Sequence, residues 1–104
     1  MESDFDIVQK YVQTKDHKHF EKIFNSTVKM VFSTIYSRLG NKEWTEDVVS
    51  ETYTTLLDII DKYDGKSKLS TFVIGIAINK MRQYLAKNKN INNKINIDED
   101  LYID

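Results

Sequence analysis

The chain has 104 residues, which suits one small domain with a modest core and leaves no room for a large enzyme cleft. It has no Pro, no Cys and three Gly, a composition that favours long helices joined by short turns and excludes a disulfide framework or a thiolate metal site. The formal net charge of −1 argues against indiscriminate coating of DNA, no uncharged run reaches membrane-spanning length, and the acid-bearing N-terminus does not read as a signal peptide.

The spacing predicts a short helix over residues 3–15, capped by Ser3 with Asp6 three positions on. Phe5, Val8 and Val12 share one face, with Ile7 and Tyr11 beside it, and the helix is expected to pack across the ends of longer ones. A second helix follows from His17 to Leu39 with Asp16 as its cap. Phe20, Ile23, Phe24, Val28, Val31, Phe32, Ile35 and Leu39 recur at three- and four-residue intervals, and this stripe is read as core. Gly40 stands where a left-handed C-terminal cap is expected. His17 and His19 are two apart and point to different sides of a helix, so they are expected to be solvated rather than metal-bound.

A third helix is predicted from Thr45 to about Tyr63. Thr45 caps it, and Glu46 and Asp47 favour the positive end of its dipole. Trp44 before the cap can staple onto Val49. Val48, Val49, Thr52, Tyr53, Leu56, Leu57 and Ile60 form its buried stripe. Asp47 and Glu51 lie one turn apart on another face, where like charges cost a few tenths of a kcal/mol, roughly 0.2–0.5. An ordinary solvated acidic face and a face awaiting a cationic partner both fit.

Tyr63-Asp64-Gly65 ends that helix, and Lys66-Ser67-Lys68 forms a basic connector. A fourth helix is expected to start after Ser70, with Leu69 stapled onto Ile74. Phe72, Val73, Ile76, Ala77 and Tyr84 make one apolar stripe, widened by Ile74, Ile78, Met81 and Leu85. A helix apolar over most of its girth is expected at the centre of its bundle. From Asn88 the pattern dissolves into an Asn-rich stretch with an acidic end, which reads as a linker or tail over residues 90–104.

Charge is partitioned along this chain. Residues 65–94 carry seven basic residues and no acid, on an otherwise acidic body. Such a block reads either as one anion-binding face or as a solvated helix whose charges share a sign. Lys66, Lys68, Lys80, Arg82 and Lys87 are candidates to neutralise phosphates, which gives affinity and salt dependence without sequence choice. Asn79 and Gln83 are four apart on one helix face, and side-chain amides can pair bidentately with adenine edges. Phe72 and Tyr84 could stack on an unpaired base. Tyr84 is read as core, and Phe72, beside the basic loop, as the better stacking candidate. No Gly-rich phosphate loop and no catalytic signature is found, and the paired acids Glu46 and Asp47 are explained by capping. The chain is therefore read as a non-enzyme with no cofactor and no metal.

Three segments taken together resemble region 2 of bacterial sigma factors, in the style of the extracytoplasmic-function (ECF) group. They are E-D-V-V-S-E-T-Y at 46–53, Y-D-G at 63–65 and L-S-T-F-V-I-G-I-A-I-N at 69–79. The resemblance runs over about residues 17–89. It implies an all-α fold, a compact bundle of three main helices plus the short N-terminal helix, occupying residues 1–89. It implies two partners, core RNA polymerase and promoter DNA, in the bacterial cytoplasm, and it leaves room for an anti-sigma factor.

Carried over, Asp47 and Glu51, with Glu46 and Ser50 nearby, face the coiled coil of the polymerase beta-prime subunit. Lys66, Lys68, Ser70, Thr71 and Phe72 form the loop and helix start that open the promoter −10 element and capture a base. Asn79, Arg82 and Gln83 face the duplex edge of that element. Many members have Gln at the Ser50 position, so the polymerase contact is expected to be weaker, and Trp at Phe72, where Phe still stacks. A basic residue is common at Ile78 and Asp at Gln83, so the promoter sequence read here is expected to differ. Members normally continue into a second helical domain with a helix-turn-helix. This sequence ends within what looks like the inter-domain linker, as an excised domain or a shortened protein would. The rival reading is a polymerase-binding regulator or decoy without promoter recognition, and a third is a structural bundle with no nucleic-acid role.

Overall fold

The computed structural model describes residues 2–88, so the expectation for residues 90–104, and Lys89 with it, lies outside the described residues. Four helices follow one another without a strand among these residues: α1 (Asp4–Thr14), α2 (His17–Leu39), α3 (Lys42–Ile59), which runs into a 3-10 turn at Ile60–Lys62, and α4 (Leu69–Lys87). The expected all-α bundle is what forms. No helix among the described residues is long and apolar enough to cross a membrane.

Local chemistry explains the first two helices. Ser3 Oγ accepts from the Asp6 N–H at 3.1 Å and the Asp6 carboxylate accepts from the Ser3 N–H at 3.3 Å, a reciprocal capping box. Asp16 Oδ1 accepts from the Lys18 N–H at 3.0 Å and caps α2. Gly40, at φ 65°, ends α2 in the left-handed conformation expected of it.

The start of α3 differs from expectation. Asn41, not Thr45, is the cap, and its Oδ1 accepts from the Trp44 N–H at 2.9 Å. The helix therefore begins three residues earlier, Trp44 sits inside its first turn, and no staple from outside the helix forms. Thr45 is fully buried instead, its hydroxyl donating to the Asn41 carbonyl at 2.7 Å. Glu43 is the acid in the first turn. Glu46 and Asp47 stand beyond it, so capping does not account for them.

The core is built from rows of four-residue spacing. On α2 the buried residues are Ile23, Thr27, Val31, Ile35 and Leu39, and on α4 they are Leu69, Val73, Ala77, Met81 and Leu85. Such rows are the ridges that interlock when helices pack. Helix α3 packs against both α2 and α4, which also meet each other, while α1 lies against α2 and the 3-10 turn. Two aromatic and aliphatic residues read as core are not covered: Phe24 is 38 % exposed and Leu57 40 %. Phe5 is likewise exposed, although Val8 and Tyr11 of its helix are buried.

Three buried threonines need partners, because an unpaired buried hydroxyl costs roughly 1–3 kcal/mol. Thr45 and Thr52 bond the carbonyls four residues back. Thr27 donates to the Ile23 carbonyl at 2.8 Å, which leaves its oxygen to accept from the Tyr53 hydroxyl at 2.6 Å. This pair ties α2 to α3 inside the core, and burial pushes the Tyr53 phenol pKa up.

Candidate functional site

Helix α3 turns two different strips outward. Glu46, Asp47, Ser50 and Glu51 are all exposed. Because successive residues are turned by about 100°, Glu46 and Ser50 share one strip and Asp47 and Glu51 the next. The first strip borders an open groove of about 550 Å³ between α2 and α3, lined by Phe20, Phe24, Phe32, Val49, Tyr53, Thr54 and Leu57. The Phe24 ring stands edge-on to Tyr53, with centroids 4.8 Å apart. The groove was missed in the sequence because three- and four-residue spacing marks apolar positions without saying whether a neighbouring helix covers them.

The second strip is a carboxylate ridge. Glu43, Asp47 and Glu51 follow at four-residue spacing, and Tyr84 of α4 faces them. Its hydroxyl donates to Asp47 Oδ2 at 3.1 Å. The phenol pKa is raised, first by burial, then by that bond, then by the negative charges of Asp47, Glu51 and Glu43. Tyr84, expected in the core, is half-buried, with its hydroxyl at the acidic ridge.

Residues 63–68 form a tight loop before α4. Gly65 takes φ 81°, and Asp64 Oδ1 accepts from the Lys66 N–H at 3.0 Å. Tyr63 is buried and its hydroxyl donates to the Ser67 carbonyl. Lys66 and Lys68 are exposed. Lys66 Nζ stands 4.0 Å from Asp64, a solvated pair that contributes little. Phe72 follows one turn into α4, its N–H donating to the Lys68 carbonyl at 3.1 Å. One side of its ring rests on Tyr63 at 5.2 Å between centroids, and the residue is half-buried. The two lysines thus stand in the loop just before α4 and Phe72 in its first turn.

Ser70 does not cap α4. The helix begins at Leu69, which is itself buried, so no staple onto Ile74 forms. The cap residue Lys68 makes no side-chain cap bond. The Leu69 N–H donates instead to Asp4 Oδ2 of α1 at 2.9 Å.

The outward side of α4 is another four-residue row: Thr71, Gly75, Asn79, Gln83 and Lys87 are all exposed. It is offset by two residues from the buried row, hence about 200° around the helix. Lys80 flanks it on one side and Arg82 on the other, both half-buried, and Ser70 is half-buried at the helix start. Gly75 interrupts the row of side chains, and a Cβ there would meet nothing within 4 Å. His17 is exposed as expected, whereas His19 is half-buried, and no group of three His, Asp or Glu side chains among the described residues could hold a metal ion.

Among families of known proteins, the model described as Sigma-70 region 2 matches residues 23–91, a span that takes in α3, the loop and α4. No curated protein and no solved structure matches the chain.

Proposed function

The chain belongs to the sigma-70 region 2 family, and from that premise we propose that it grips core RNA polymerase through α3 and opens promoter DNA through residues 66–87. Family membership carries a sigma-type role in transcription initiation in general. The finer reading rests on one observation: the matched span holds an outward carboxylate pair, Asp47 and Glu51, and an acid-free segment with exposed Lys66 and Lys68 just before a helix and Phe72 in its first turn.

The dock has two parts in this reading. Glu43, Asp47 and Glu51 attract the basic groups of the beta-prime coiled coil, and the groove beside Glu46 and Ser50 receives its apolar side chains. The ECF-style loop then supplies cations to the separated strand, and Phe72 offers a ring to an extruded base, with Ser70 and Thr71 beside it. Taking a base from the stack costs a few kcal/mol, and stacking on an aromatic returns roughly 1–3 kcal/mol. Asn79 and Gln83, with Lys80, Arg82 and Lys87 around them, face the adjoining duplex edge. The chain contributes binding energy rather than catalytic groups to this step.

Two measurements on the purified chain test the reading: co-purification with bacterial core polymerase, and binding to single-stranded −10-type oligonucleotides across a salt series. Asp47→Arg with Glu51→Arg is expected to lose polymerase and keep the oligonucleotide. Polymerase capture that survives this double change removes α3 from the dock. A native chain that ignores the oligonucleotide at every salt concentration removes promoter opening.

A further inference from the structure

We infer that α1 is a strap that sets the geometry of the strand-facing loop, with Asp4 as its positioning residue; the inference rests on the reading of that loop given above. A helix start leaves four N–H groups without intrahelical partners. At α4 the cap residue, Lys68, has no acceptor to offer, and the acceptor comes from 65 residues earlier in the chain. The Asp4 carboxylate takes the Leu69 N–H at 2.9 Å, at the end of the helix where the dipole favours an anion.

The next residue of α1 grips the other end of the loop. Phe5 lies so close over Gly65 that a Cβ there would stand 3.1 Å from its Cβ and Cδ1. Asp4 and Phe5 therefore clamp Leu69 and Gly65, and the exposed Lys66 and Lys68 fall between the two grips. Ser3, Asp4 and Phe5 line one shallow cleft with Tyr63, Gly65 and the residues up to Lys68. The strap is itself anchored, since Val8 and Tyr11 are buried in the core. Helix α1 lies before residue 23, where the family match begins. This chain thus steers a family segment with a helix outside the matched span.

Charge alone makes the opposite prediction. Removing an acid beside two lysines should tighten binding to an anionic strand. If Asp4 positions the loop, Asp4→Ala instead weakens binding to a single-stranded −10-type oligonucleotide by about two- to thirtyfold, the range a lost helix cap spans. Asp4→Asn keeps an acceptor oxygen and restores most of that loss. Hydrogen exchange in the free chain supplies the second readout: the Leu69 amide exchanges faster in Asp4→Ala, while the centre of α3 does not. Binding that is unchanged or tighter in Asp4→Ala overturns the inference. So does an unaltered Leu69 exchange rate, which decides the matter even if the native chain proves not to bind the oligonucleotide.

Discussion

The Tyr84 hydroxyl of α4 donates to the Asp47 carboxylate of α3 across 3.1 Å, joining the helix proposed to face DNA to the ridge proposed to face polymerase. The bond fixes one rotamer of an otherwise solvated acid. Tyr84→Phe removes it and leaves the ring. A bond this exposed contributes only about 0.5–1 kcal/mol, so thermal unfolding should move little. Polymerase affinity should fall several-fold, because Asp47 must then be ordered on docking. In Asp47→Asn the Tyr84 phenol should titrate closer to its ordinary 10.0, since one of the charges that raise it is gone. An unmoved titration would show that the Asp47 charge does not contribute to the shift.

Lys66 and Lys68 are exposed, and Lys66 Nζ lies 4.0 Å from Asp64 in a solvated pair. Lys66→Glu with Lys68→Glu should weaken promoter opening and spare polymerase capture. With alanine at both positions, the slope of log affinity against log salt for a single strand should shrink by about 1.4, at ~0.7 per phosphate contact. A slope equal to that of the native chain would place these ammonium groups away from the strand.

Gly75 interrupts an exposed helix row with nothing near it to demand a glycine. Gly75→Ala should raise stability by about 0.5–1 kcal/mol, seen as a higher thermal midpoint. If the DNA backbone runs close along this row, the same change should weaken oligonucleotide binding. Two opposite signs in one variant separate packing from recognition.

The Tyr53 phenol is raised by burial above its ordinary 10.0. The folded state then holds its proton after the unfolded chain has released it. The associated stability is intact below pH 10 and drains away as the pH climbs through the folded value. Urea midpoints followed from neutral to strongly alkaline pH should fall more steeply in the native chain than in Tyr53→Phe. Equal slopes would mean that Tyr53 ionises as freely folded as unfolded.

What was legible in the sequence is what short-range chemistry decides. Ser3 with Asp6, Asp16 and Gly40 each act on backbone groups within a few residues, and each stands where its spacing placed it. At the start of α3 two good capping types, Asn41 and Thr45, compete within one turn, and burial of Thr45 in the core settles the choice. Leu57 and Phe24 carry the periodicity of core residues, yet no helix covers them. The bond from Leu69 to Asp4 spans most of the chain, and no local pattern announces it. Asp47, Glu51, Lys66, Lys68 and Phe72 were singled out by charge, spacing and the motifs around them, and the two acids and two lysines are exposed, whereas the Tyr84 link and the groove needed the packed helices.

The two rows of α4 are locked in phase, Val73 and Ala77 inward while Gly75 and Asn79 look out. Insertion of a single amino acid between them would swivel everything downstream by about 100° and aim Asn79 and Gln83 sideways, even if the hydrophobic interior repaired itself. If these residues read the promoter as proposed, its preference drifts by exchanging side chains at 79 and 83, but not by altering the count of residues that separates them from the loop.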